Sequence, residues 1–419
     1  MDILLKNAKG TKDIPPEEKI IKQKIVDTLK TVFELYGFNP LETPLLERYE
    51  TISAKYAGGA EILKETFKLK DQGKRDLALR YDLTVPFARF VGMNPNLKMP
   101  FKRYQIGRVF RDGPIKLGRY REFWQCDVDV VGTKSMKADA ECLMIAKEAF
   151  KRLNLNVIIK VNNRKILDSM LEYSGVKKAK RIDAILSVDK LAKFGEETVK
   201  EELENKGIEK ESINKLLKLI SVKGTNQEKV KALEILENKE GLEEIKEVLS
   251  YIKDVEFDPS LARGLAYYTG TIFEIFLKDS KIKSAITAGG RYDNMIKGFL
   301  ETEKEYPAVG ISFGLDVIKE AMKKESEQKT VTKVYIIPIG TFKQSLKIAE
   351  KLRNNNIKTD IDLSDRGPSK NMKYANALNI PFVLFIGEEE LKSNKFKLRD
   401  MKTGKEKVLN TEELIEFLI

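Results

Sequence analysis

The chain has 419 residues, 42% hydrophobic and 33% charged, enough for two or three domains with substantial cores. It contains no histidine, which excludes an imidazole base, a Ser–His pair and a histidine-held metal. Its net charge of +12 favours a polyanionic partner, because lysines and arginines that neutralise phosphates release counterions.

In chain order, residues 17–36 form the first predicted element, an amphipathic helix with Ile20, Ile21, Ile25, Leu29, Val32 and Phe33 at helical spacing. The stretch GFNPLETPLLER then breaks at Pro40 and Pro44. DLALRYDLTVPFARF and FKRYQIGRVFRD read as strands, and so does the segment that follows an arginine-rich loop, GRYREFWQCDVDV. From about 162 to 252 the composition shifts to Lys, Glu, Leu and Ile without proline, the signature of a helical segment. Strand patterns return in GTIFEIFL, SAITAGG and AVGISFGL. A polar linker at 323–333 leads to alternating strand and helix patterns, VYIIPIG, a helix near 344–354, KTDIDL, a helix near 370–378 and FVLFIG. The predicted organisation is α+β. One discontinuous domain spans 1–160 and 253–322, a helical insertion spans 161–252, and a small α/β domain spans 331–419. Cys126 and Cys142 lie in apolar patterns and read as reduced core thiols, too few for a disulfide framework or a zinc site. No metal site is expected of the protein's own side chains. No run reaches the roughly 18 apolar residues of a membrane span, so the expectation is a cytoplasmic protein with no membrane partner.

Four segments combine polar groups with strand parity. Arg80, Asp82 and Thr84 share one face of LALRYDLT, and Arg103, Gln105 and Arg111 share one in FKRYQIGRVFR. Gln125, Asp127 and Asp129 alternate with Trp124, Cys126, Val128 and Val130. In LARGLAYYTG, Arg263, Gly264, Tyr267 and Tyr268 lead into a strand. Taken singly, each has an ordinary explanation. A polar strand face is usually solvated, an Arg–Asp pair is usually structural, and a tyrosine is usually core with a satisfied hydroxyl. AGGRYDNM is no dinucleotide fingerprint, and its Gly289 and Gly290 suit a turn or a close backbone approach. Together, in one domain, the four segments point to a shared cavity. Its arginines would hold phosphates and its acids an ammonium or N–H donor.

The order of these segments resembles histidyl-tRNA synthetase, a class II aminoacyl-tRNA synthetase, over nearly the whole chain. GFNPLETPLLER resembles the first class II motif, at the dimer interface, and KRYQIGRVFRDGPIKLGRYREFWQCDVDVVG resembles the second. LARGLAYYTG resembles the histidine-specific signature, AGGRYD its companion, and AVGISFGLDVI the third motif. The resemblance implies a class II antiparallel sheet with flanking helices and a C-terminal anticodon-binding domain. It also implies activation of L-histidine by ATP with Mg²⁺, and transfer of the product to tRNA(His) by a homodimer. Roles carry over by position. Arg111 would grip the ATP α-phosphate and Arg119 the outer phosphates. Asp82 and Thr84 would take the α-amino group, with Gln125 orienting the amino acid. Asp129, with Tyr268 beside it, would face the imidazole; Tyr267 joins the histidine-binding set, and Arg263 would act as electrostatic catalyst. Asp127 receives no role. Ala266, Val317 and Gly113 depart from the family pattern, which has Asp, Arg and often Glu at those positions. Those departures suit a second class of protein on the same fold, a non-catalytic paralogue such as a regulatory subunit of ATP phosphoribosyltransferase or a sensor of uncharged tRNA. A third reading, a plain basic RNA-binding protein, leaves the acids unexplained.

Overall fold

The structure, a computed structural model, describes residues 5–54, 63–115, 120–263, 267–300, 302–322 and 329–419. The chain divides into two compact units, residues 1–12 with 25–321 and residues 13–24 with 322–419. In the first unit the strands are β1 (Asn39–Pro40), β2 (Leu46–Arg48), β3 (Lys68–Lys70), β4 (Asp76–Leu79), β5 (Phe101–Phe110), β6 (Glu122–Val131), β7 (Val157–Asn163), β8 (Val255–Phe257), β9 (Thr271–Leu277), β10 (Thr287–Arg291) and β11 (Ala308–Gly314). Eight of them make one sheet in the order β1-β5-β6-β11-β10-β9-β7-β8. Its centre is antiparallel, and only the marginal pairs β1·β5 and β7·β8 run parallel. A small antiparallel sheet, β2-β4-β3, forms separately.

The alternation in β6 resolves into two buried faces. Cys126, Val128 and Val130 are buried, and so are Asp127 and Asp129 on the opposite parity. Register explains the apolar side. Cys126 lies opposite Phe313, and Val128 opposite Tyr104. The Phe313 ring in turn packs 5.5 Å from Phe33, on the helix Pro16–Leu35, and 5.8 Å from Phe150, on the helix Met136–Arg152. Both cysteines are free and buried there, as their apolar surroundings predict.

One predicted strand is corrected. Only Asp76–Leu79 of DLALRYDLTVPFARF is a strand, while Thr84–Met93 is an α-helix. Its buried Val85, Ala88 and Val91 recur every three residues, a helical spacing, and Pro86 sits in the first turn, where its missing N–H costs nothing. The helix start is fixed by Asp82, whose Oδ1 accepts from the backbone N–H of Thr84 at 3.1 Å and of Val85 at 2.9 Å.

Between β7 and β8 the proline-free segment is helical, as its composition predicts: Arg164–Tyr173, Arg181–Val188, Leu191–Asn205, Lys210–Ile220, Asn226–Ala232 and Glu240–Tyr251. The second unit holds β12 (Val334–Pro338), β13 (Thr359–Ile361), β14 (Phe382–Ile386), β15 (Phe396–Asp400) and β16 (Glu406–Leu409) in the order β13-β12-β14-β15-β16. The first three are parallel, with the helices Phe342–Asn354 and Pro368–Ala377 as their crossovers. The closing antiparallel strands and the helix Thr411–Leu418 extend beyond the predicted elements. Part of the predicted linker, 323–328, lies outside the described residues.

Candidate active site

A cavity of about 490 Å³ opens on the polar face of the large sheet. Asp82, Thr84, Arg111, Gln125, Asp127, Asp129, Arg263, Tyr267 and Tyr268 all line it. The predicted set therefore converges, apart from Arg119 and Gly264, which lie outside the described residues together with Ala266. Three members of the predicted polar faces do not line it. Buried Arg80 instead donates to the backbone carbonyls of Arg108 and Thr43, each at 2.8 Å. Buried Gln105 bonds the Thr43 hydroxyl, and buried Arg103 lies beneath the cavity as the partner of Asp129.

The floor follows from strand register. Across β5, β6 and β11, Gly107, Gln125 and Gly314 form one row. Gln105, Asp127 and Ser312 form the next, and Arg103, Asp129 and Gly310 the third. Directly opposed residues share a face, so these rows place an amide and two carboxylates side by side under the cavity. Glycines keep the floor low. A Cβ on Gly310 would lie 2.0 Å from Asp129 Oδ1, and one on Gly289 would lie 2.2 Å from the Gly310 carbonyl. Gly289 and Gly290 thus serve a close backbone approach within β10, not a turn.

Asp129 is held from two sides, by Arg103 at 2.6 Å on Oδ2 and by the Tyr292 hydroxyl on Oδ1. Burial raises its pKa above the usual carboxylate range, and those two partners pull the other way. Asp127 is less well provided. Burial and the nearby Asp129 and Asp82 push its pKa up to about 7 against the pull of Arg103 and Ser312, and its Oδ1 finds no donor among the described residues. Gln125 donates to the Ser312 hydroxyl at 3.2 Å, while its Oε1 is likewise unmatched. Burial also raises Asp82, against the pull of the two backbone N–H groups and Arg111.

At the cavity wall the Arg111 guanidinium lies 4.2 Å from the Tyr81 ring centroid and 5.0 Å from that of Phe123. Its Nε donates to the Tyr81 carbonyl at 3.4 Å, and among the described residues it forms no ion pair. Its charge therefore remains available to an anion. Arg263 pairs with Glu274 at 2.8 Å and stands over the Tyr268 ring at 5.6 Å. Burial works against its charge, but Tyr268, Glu274 and Tyr267 hold it above the ordinary arginine range. Beside the second motif, Gly113 leaves room for Glu65, whose Oε1 lies 2.6 Å from where a Cβ would stand. Among the lining residues that carry no predicted role are Asp127, Glu274 and Tyr292. Each sits in a quoted segment, Asp127 at the right parity, and only their neighbours across the sheet show what they do.

Comparison with known proteins follows the same lines. Residues 10–318 match the family described as histidyl-tRNA synthetase, and residues 333–419 match the anticodon binding domain. Histidine–tRNA ligase 1 of Bacillus cereus is 47% identical over 423 residues, covering 99% of both chains. The histidine–tRNA ligase of Clostridium tetani is 38% identical over 431 residues, covering 98% of this chain and 97% of its own. The crystal structure of histidyl-tRNA synthetase from Nostoc superposes with a TM-score of 0.89 at 30% identity, covering 100% of this chain and 99% of that one. A Bacillus halodurans structure described as an ATP phosphoribosyltransferase regulatory subunit/histidyl-tRNA synthetase superposes with a TM-score of 0.77 at 21% identity, a likeness of fold alone. Full-length identity to ligases favours the catalytic reading over the paralogue. On sequence, architecture and site together, the chain belongs to the histidyl-tRNA synthetase family and is an aminoacyl-tRNA synthetase, a ligase.

Proposed function

We propose that the cavity is where this ligase joins L-histidine to ATP before passing it to tRNA(His). One observation carries the assignment: two arginines with available or reinforced charge, Arg111 and Arg263, line a single cavity with Asp82, Asp129 and Gln125. Arg111 grips the α-phosphate and the attacking carboxylate, while Arg119 takes the outer phosphates. Asp82, Thr84 and Gln125 receive the α-amino end of histidine. Asp129, braced by Arg103 and Tyr292, faces the imidazole with Tyr267 and Tyr268. A site of paired donors and acceptors rejects other amino acids because each unmatched buried group costs about 1–3 kcal/mol.

The chemistry needs no side-chain base, which suits a chain without histidine. Attack by the histidine carboxylate on the α-phosphorus forms a new O–P bond and expels pyrophosphate, and charge grows on the phosphoryl oxygens. Arg111 and Arg263 stabilise that charge. In the second step the terminal ribose hydroxyl attacks the activated carbonyl, its proton passes to a phosphate oxygen, and AMP leaves. The nucleotide substrate is MgATP. Mg²⁺ bound with the nucleotide would neutralise charge on its phosphates.

Residues 331–419 read the anticodon, and residues 161–252 form the helical insertion of a catalytic domain made of 1–160 and 253–322. The working form is a homodimer joined through the GFNPLETPLLER stretch, whose Leu45 and Leu46 are exposed in the single chain. No helix among the described residues is long and apolar enough to cross a membrane. The deciding experiment is ATP–pyrophosphate exchange with each amino acid in turn. Exchange with histidine alone is expected, and a folded Arg263→Ala variant should lose about 10²–10³-fold in kcat. Exchange undiminished in that variant would remove Arg263 from the mechanism.

A further inference from the structure

Asp127 stands at the centre of the floor, two residues from Gln125 and two from Asp129, with Ser312 opposite on β11. It is 3% exposed, and its Oδ1 has no donor among the described residues. A buried carboxylate oxygen without a donor is costly unless something brings one. The Gln125 Oε1 beside it is in the same condition. The charge count points to what arrives. Of the three acids gathered here, Asp129 is neutralised by Arg103. Asp82 spends one oxygen on two backbone N–H groups, and Asp127 has no cation of its own. Two carboxylates and an amide oxygen therefore have room for further donors, and neither of those carboxylates is in a close ion pair among the described residues, Arg103 and Arg111 acting on them only at longer range. A neutral imidazole ring supplies a single N–H and no charge. An ammonium supplies three N–H donors and one charge.

We propose that Asp127 is a further specificity-determining residue of this site, sharing the α-ammonium of histidine with Asp82 while Gln125 Oε1 takes the third N–H. The inference rests on the reading of the cavity as the histidine site. Ser312 holds the other side of Asp127, so the carboxylate is positioned before the ligand arrives. Its raised pKa fits this arrangement, since a carboxylate kept reluctant to ionise gains most from a cation placed against it.

The test compares two ligands, histidinol and its deaminated counterpart 3-(imidazol-4-yl)propan-1-ol, on the full-length wild type and Asp127→Asn. Asparagine keeps the shape and removes the charge. Histidinol affinity and the histidine KM in exchange should worsen about tenfold or more in the variant, with the KM for ATP and the affinity for the deaminated ligand unchanged. Equal losses for both ligands would assign Asp127 to the ring or to structure, and no loss for either would make it a bystander; either result overturns the proposal. Stability measured alongside separates misfolding from lost contact, because removal of a destabilising buried charge leaves the variant at least as resistant to urea as the wild type. Wild type that binds neither ligand would refute the reading of the cavity itself, a result distinct from failure of Asp127 alone.

Discussion

Arg103 shows how a single side chain sets the terms for a site it does not enter. It is fully buried, packs its guanidinium 4.3 Å from the Phe87 ring, and meets Asp129 directly across the β5·β6 pair. Arg103→Met would leave Asp129 buried without its cation, so chemical denaturation should report a loss of about 3–5 kcal/mol. Recovery of part of that loss in Arg103→Met/Asp129→Leu would identify the unpaired charge as its cause. Asp127 makes the converse prediction. Its pKa is raised from 3.8 to about 7, so its favourable contribution to folding is complete below 3.8 and is lost as pH rises to about 7. The stability advantage of Asp127→Asn over wild type should therefore grow between those values and level off above them. A gap that shrank with rising pH would show that Asp127 is stabilised as the anion. The sequence placed Asp127 at the right parity without a role. Its unmatched oxygen depends on which residues β11 and β5 set beside it, and no local pattern reveals that.

Elements were more legible than the contacts between them. Strands β5, β6, β9, β10 and β11 and the helical segment follow from period and composition, because burial on one or both faces imposes period two or 3.6. Thr84–Met93 was misread because an alternating run ahead of it continued into a stretch whose apolar spacing changes from two to three. The change is small in sequence and large in consequence, since it makes Asp82 a helix-start residue as well as a cavity acid. A comparable coupling operates on β7. Buried Asn162 donates to the carbonyls of Pro259 at 3.1 Å and Leu261 at 2.8 Å, fixing the segment that delivers Arg263. Asn162→Ala should lower kcat in exchange by about tenfold through misplacement of that arginine, with the KM for histidine little changed. An unaltered kcat would show that the segment holds its course without this anchor.

For the molecule as a whole, the excess of 76 Lys and Arg over 64 Asp and Glu is the property expected to govern an encounter with tRNA. Affinity of the full-length protein for tRNA(His) should fall about a hundredfold between 50 and 200 mM salt if some four phosphates are neutralised. Insensitivity to salt would mean that the basic surface plays no part in binding. The helical segment and the small C-terminal α/β unit were visible as shifts in pattern along the chain, whereas the antiparallel pairing of the large sheet was implied only by the family resemblance. The pairing order of the strands was not, since β11 inserts between β6 and β10 from nearly two hundred residues away. That order has a consequence for how the protein is made. A slip of one residue in β6 would swing Gln125, Asp127 and Asp129 onto the side occupied by Phe33, Phe150 and Phe313 and bury their polar groups among aromatic rings. The acids of the floor thereby penalise any slip of β6 by an odd number of residues, so during synthesis the polar floor acts as an inspector of its own assembly.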